Sequence, residues 1–129
     1  MSNLNKLVAQ EYGRYLEQFN WSYFITCRSP YRITTRTVDR WCDRLFKANL
    51  SVKRIFWSME SDQGDPTNKH VHMLIESELD LSYKQLRSGL GNIAVGDYQR
   101  IYSKPQVCGY ITKFVNYQGA EYNYLEGKS

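Results

Sequence analysis

The stretch Val52-Lys53-Arg54-Ile55-Phe56-Trp57-Ser58-Met59-Glu60, then Ser61-Asp62-Gln63-Gly64-Asp65-Pro66-Thr67-Asn68, then Lys69-His70-Val71-His72-Met73-Leu74-Ile75-Glu76, decides how this chain folds. Its two flanks are rich in branched and aromatic residues, which suit a pleated, half-buried surface, while the middle is crowded with Asp, Asn, Gly and Pro. Two strands joined by a loop are therefore predicted, over 52–60 and from 69 to about 76. Successive strands with so short a connection pair most simply as antiparallel neighbours, so the end of the first lies beside the start of the second. Side chains alternate between faces along a strand, which sends His70 and His72 to one face and Val71 and Met73 to the other. These are the only two histidines in the chain, and the pairing brings Glu60 next to them. Two neutral imidazoles and a carboxylate make a three-ligand site for a divalent ion, with positions left open for water or phosphate oxygens. Asp62 and Asp65 are alternative carboxylates, less firmly held because they sit in the loop. Without a reaction to serve, the same histidines are merely polar residues on a half-exposed strand.

Working outward, the upstream side supplies two helices and a strand. Leu4, Leu7, Val8, Tyr12, Tyr15, Leu16 and Phe19 line one face of a helix over 3–19, opposite the solvated face of Lys6, Gln10, Glu11, Arg14 and Glu17. Trp21-Ser22-Tyr23-Phe24-Ile25-Thr26-Cys27 reads as a strand, closed by Arg28-Ser29-Pro30. A second helix starts at an N-cap threonine, Thr34 or Thr35, and runs to about Asn49 with Val38, Trp41, Cys42 and Leu45 as its apolar stripe. Arg36, Arg40, Arg44 and Lys47 recur along an adjacent face of that helix. Like charges so spaced cost a few tenths of a kcal/mol each, which a bound row of phosphates would offset; Asp39 and Asp43, within reach, offer a local neutralisation instead.

Downstream, a short helix is expected from Leu81 to about Leu90, with Leu81, Gln85 and Leu86 inward and Gly89 and Gly91 stopping it. Tyr98 to Ser103 reads as another strand, and Pro105 suits the first turn of a helix running to about Tyr117. Within that helix, Tyr110-Ile111-Thr112-Lys113 puts a phenol and an ammonium one turn apart on one face. A last strand is expected over 121–125.

Composition bounds these readings. A chain of 129 residues, 42% hydrophobic and 23% charged, is long enough for one domain with a real core and too short for two. No apolar run approaches the ~20 residues that a membrane span needs, and Met1-Ser2-Asn3 lacks the basic and apolar regions of a signal peptide, so no membrane association and a cytoplasmic location are expected. Cys27, Cys42 and Cys108 are an odd set without C-x-x-C spacing and read as buried apolar residues in a reducing compartment. A formal net charge of +4 permits a polyanionic partner without demanding one. The expected fold class is α+β: an antiparallel sheet of about five strands with flanking helices, ferredoxin-like or RRM-like in order.

A strand Phe24-Ile25-Thr26, a carboxylate strand ending at Glu60, His70-Val71-His72 and then Tyr110-Ile111-Thr112-Lys113 come in an order that resembles the His-hydrophobic-His (HUH) endonucleases. Within them the chain is most similar to the small Rep nucleases that initiate rolling-circle replication, whose tyrosine motif is Y-x-x-K. The resemblance spans residues 21–117 and rests on order and spacing, since each motif alone is common. It implies the HUH endonuclease fold, a metal held by His70, His72 and Glu60, and a catalytic pair of Tyr110 and Lys113. Magnesium or manganese would serve as cofactor, and Tyr110 would attack a phosphodiester of single-stranded DNA at an origin or hairpin. The product would be a 5′-phosphotyrosine and a free 3′-hydroxyl, so the same site could rejoin strands without ATP. A homodimer supplying two sites, and contacts with host or viral replication proteins, are further expectations.

Several readings compete with this one. Tyr110 is one of 11 tyrosines, and Tyr117, two turns on, is its rival as nucleophile. A single-tyrosine transposase or a relaxase would use the same chemistry. A non-catalytic RRM-like module would instead stack bases on sheet aromatics such as Tyr23, Trp57 or Tyr102. Arg28, Arg32, Arg36, Arg40 and Lys104 are the candidate contacts to a DNA strand.

Overall fold

Alternation along the central strands sorts the interior into two halves, one on each side of a sheet. The computed structural model describes residues 3–62, 65–91, 93–113 and 120–127. Over these, the order is α1 (Asn3–Leu16), β1 (Tyr23–Arg28), α2 (Thr35–Ala48), β2 (Val52–Asp62), β3 (Asp65–Ser77), α3 (Tyr83–Leu90), β4 (Ala94–Arg100), α4 (Lys104–Ile111) and β5 (Glu121–Glu126). The five described strands form one sheet in the order β4-β1-β3-β2-β5, and every pair is antiparallel. The run from β1 to β4 is the βαββαβ order of ferredoxin-like folds, extended by β5 along the outer edge of β2. The fold class is α+β, as the sequence suggests.

On one side, Tyr23, Ile25, Cys27, Ile55, Trp57, Val71, Met73 and Ile75 pack with Val38, Trp41, Cys42 and Leu45 of α2 and with Leu86 and Leu90 of α3. On the other, Phe24, Phe56 and Leu74 pack with Leu16 of α1 and with Cys108 and Ile111 of α4. We call these the rear and front faces. The apolar stripe read for α2 is the one that is buried, and Thr34 caps that helix by accepting the Thr37 N–H at 3.2 Å. The helix α1 buries Leu16 as expected but is rotated from the rest of its expected face: Leu7 and Tyr15 are exposed, whereas Ala9 and Gly13 are buried. Small residues explain the rotation, because α4 passes so near that a Cβ on Gly13 would lie 2.9 Å from Thr112 Oγ1.

Four local expectations change. The loop over 61–68 is mostly strand, since β2 and β3 stay paired out to Asp62 opposite Asp65. Pro66 is tolerated there because β1 pairs β3 only as far as Val71, leaving that part of β3 at a sheet edge. Gln85 is exposed and closes a capping box with Ser82 rather than packing inward. The strand expected over 98–103 lies earlier, as β4. The helix from Pro105 ends at Ile111, and Tyr117 lies outside the described residues.

Candidate functional site

Strand register assembles the front-face cluster. Glu60 is paired directly opposite His70, and His72 lies between Ser58 on β2 and Thr26 on β1. Paired residues project from the same face of a sheet, so a carboxylate, two imidazoles and two hydroxyls converge. One ligand atom each from Glu60, His70 and His72 lie within 4.8 Å of one another, a cluster able to hold a metal ion. Glu60 Oε2 is 3.2 Å from His70 Nε2 and 3.7 Å from His72 Nε2. Asp62 and Asp65 are backbone partners in the β2–β3 ladder beyond it.

His72 is held from several directions. Its ring stacks on Phe24, with centroids 5.3 Å apart, and its Nδ1 is 3.0 Å from Thr26 Oγ1. Its Nε2 is buried and has no hydrogen-bond partner among the described residues. If a metal ion were bound, Nδ1–H donated to the threonine oxygen would leave the Nε2 lone pair for the ion, the arrangement typical of a metal-ligating histidine whose second nitrogen is fixed by a supporting hydrogen bond. Without an ion, the other tautomer turns Nε2–H toward Glu60. A buried polar atom without a partner costs about 1–3 kcal/mol, and Ser58 Oγ, on the neighbouring strand, is in the same condition. Two unsatisfied polar atoms beside an acid and a second imidazole fit a bound cation.

The electrostatics agree. The carboxyl of Glu60 is held down to about 2, chiefly by the His72 imidazole, with burial opposing and Lys113 and His70 assisting. The distances make His70 the direct hydrogen-bond partner, and at 3.7 Å His72 acts as the longer-range attraction. Glu60 is thus ionised over the whole neutral range, as a ligand must be.

The helix α4 brings the tyrosine motif to this same face. The half-exposed Tyr110 ring stands 5.4 Å from that of His72 and 6.0 Å from that of Phe24. Lys113, in the turn after α4, sets Nζ 4.0 Å from the centre of the Tyr110 ring and 3.5 Å from Glu60 Oε1. One cation therefore links the Tyr110 ring to the Glu60-His70-His72 cluster. A cleft of about 360 Å³ opens beside them, lined by Thr26, His72, Gln99, Tyr102, Gln106 and Tyr110 among others.

The proposed strand contacts divide between faces. Arg28 ends β1 two residues beyond Thr26, so alternation directs it to the front, and the half-buried Lys104 opens α4 on that same side. The exposed Arg32 lies in the connection from β1 to α2. Arg36 and Arg40 are exposed on α2, across the sheet from the histidines. Asp39 neutralises neither arginine, because it accepts the Trp57 indole N–H at 3.0 Å and the Asn123 amide at 3.2 Å. Tyr23 and Trp57 are core residues with no face for a base, whereas Tyr102, 91% exposed, stands at the cleft. Thr26 is the site residue that the sequence reading passed over. Its signal was a lone hydroxyl in an otherwise apolar strand centre.

No family model matches this chain and no curated protein matches it. It is similar to a solved crystal structure, that of the hypothetical protein ORF119 from Sulfolobus islandicus rod-shaped virus 1. The two share 12% sequence identity over 84% of this chain and 91% of that one, with a TM-score of 0.53. At that identity the likeness is one of fold.

Proposed function

We propose that this chain is a Rep-type nuclease that nicks and rejoins single-stranded DNA through Tyr110, using a divalent metal, to initiate replication of a plasmid or viral genome. The observation that carries the reading is the convergence of Tyr110 and Lys113 with Glu60, His70 and His72 at one end of one sheet face. A magnesium or manganese ion held by the three ligands would neutralise charge on the scissile phosphate. Thr26 fixes the His72 ring, and Glu60 holds His70 and anchors Lys113. Tyr110 Oη forms a bond to phosphorus as the bond to the 3′ oxygen breaks; the phenol loses its proton and the 3′ oxygen gains one. Lys113, whose ammonium stands over the Tyr110 ring, is placed to meet the phosphate that the phenol attacks. One phosphodiester is exchanged for another of the same kind, which makes rejoining accessible.

An RRM-like binding module is the poorer fit. It would need an open sheet face bearing aromatics, whereas Phe24 and Phe56 are covered by α1 and α4. The test is incubation of the full chain with a pool of single-stranded oligonucleotides and manganese, read by denaturing electrophoresis. A covalent protein-DNA band is expected, abolished by Tyr110→Phe and by chelation, and retained by Tyr117→Phe. A band that survives Tyr110→Phe, or strand binding without any adduct, would reject the mechanism.

A further inference from the structure

The charge of this protein is segregated. Together α2 and α3 carry six cations, Arg36, Arg40, Arg44, Lys47, Lys84 and Arg87, against two carboxylates, Asp39 and Asp43. That surplus of four equals the formal net charge of the whole chain, +4, so the rest of the sequence is balanced. Neither carboxylate neutralises the arginines: Asp43 pairs with Lys47 at 2.9 Å, and Asp39 is committed to Trp57 and Asn123. Farther out, Glu78 pairs with Lys53 and Asp80 with Arg100, each at 2.9 Å. The two helices pack side by side over the rear core, and their cations form one field. The Arg44 guanidinium reaches the end of α3, 2.8 Å from where a Cβ on Gly91 would stand. There it borders a shallow hollow of about 470 Å³ lined by Tyr83, Lys84, Arg87, Ser88 and Gly91.

We infer that the outer surface of α2 and α3 is a second nucleic-acid surface, which holds the phosphate backbone of a duplex on the side of the sheet away from the histidines. Arginine supplies four of the six cations, and its planar fork suits phosphate oxygens. Single strands are gripped by stacking their bases on aromatic rings, and the aromatic of the α2 stripe, Trp41, is buried beneath the helix. A membrane surface would call for an exposed apolar face, and the stripe of α2 is already packed into the core. What remains on the outside is charge and one partly exposed ring, Tyr83, whose hydroxyl is donated to the Val95 carbonyl and whose ring meets Tyr98 edge-on. That surface matches sequence-independent attraction to a polyphosphate backbone more than a row of stacking platforms.

The test needs neither metal nor cleavage, so its outcome is separate from that of the nicking assay. Binding of the full chain to a fluorescent duplex of arbitrary sequence, about 30 base pairs long, is followed by anisotropy across about 50–200 mM salt. The wild type should bind with a steep salt dependence. In the triple variant Arg44→Glu, Lys84→Glu, Arg87→Glu the affinity should fall at least about tenfold, and the logarithmic salt slope should shrink by about two to three, near one per lost phosphate contact. All three positions are exposed, and circular dichroism establishes that the variant is folded. Unchanged affinity and slope in the variant overturn the inference. So does a wild type that binds the single-stranded form but not the duplex, or one that binds phosphatidylserine vesicles in preference to the duplex.

Discussion

Residues that alternate along β1, β2 and β3 meet two different interiors. On the rear, Tyr23, Ile25, Cys27, Ile55, Trp57, Val71, Met73 and Ile75 are buried against α2 and α3, with Met59 partly buried beside them. On the front, apolar packing runs from Leu74 and Phe56 to Phe24, then gives way to Thr26, Ser58, Glu60, His70 and His72. One sheet thus keeps an apolar layer on one side and, on the other, brackets its apolar centre between the Arg54–Glu76 ion pair at one end and the histidine cluster at the opposite end. The contrast matters because unsatisfied buried atoms such as His72 Nε2 are destabilising, and a closely packed rear layer whose Trp57 and Tyr23 polar atoms are hydrogen-bonded can carry that burden.

The comparison makes predictions, beginning with the largest effect. Trp57→Ala on the rear should cost about 3–5 kcal/mol in urea unfolding, since it opens a cavity and strands the Asp39 carboxylate. On the front, His72→Leu should lower manganese affinity, measured by electron paramagnetic resonance, by more than the ~10–100-fold typical of losing a supporting partner. Its effect on stability should stay within about 1 kcal/mol, because removing an unsatisfied nitrogen offsets the lost Thr26 bond. A stability loss as large as that of Trp57→Ala would erase the distinction between the faces. Thr26→Val should weaken manganese binding about 10–100-fold with the fold intact, and Thr26→Ser should restore much of it; equal binding by Val and Ser would limit Thr26 to packing.

The smallest effect is on pH dependence. Glu60 has its carboxyl lowered from 4.5 to about 2 in the folded protein, so its contribution to stability is complete above 4.5 and is lost as pH falls toward 2. In metal-free protein the urea midpoint should drop more steeply through that window for the wild type than for Glu60→Gln. Parallel curves would show that the carboxylate gains nothing from its neighbours on folding.

The sequence announces some of this arrangement and conceals the rest. The antiparallel pairing that brings Glu60 to His70 was legible because period-two alternation and a turn-rich connection are local signals. A capped start of α2 at Thr34 or Thr35 is legible for the same reason, and the structure selects Thr34. Which sheet face a helix covers is not written locally; it follows from the crossover between strands, so Arg36 and Arg40 could not be assigned to the rear from their spacing. Tyr23 and Trp57 show the same limit, since an aromatic on a strand looks alike whether it meets a base or a core. Thr26 was hidden for a different reason: its partner His72 lies 46 positions away and is found only through register. The extension of the hairpin past Ser61 was masked by Pro66, whose usual meaning is reversed at an unpaired sheet edge.

The hairpin also bears on the order in which the molecule comes together. Glu60, His70 and His72 all belong to β2 and β3, adjoining strands whose ladder runs out to Asp62 and Asp65. Closing so short a loop forfeits little chain entropy and takes microseconds, whereas Tyr110 comes from α4, far along the chain, which packs against α1. Contacts local in sequence form first. Glu60, His70 and His72 are therefore joined by contacts local in sequence, while Tyr110 reaches them only through long-range packing of the chain around it.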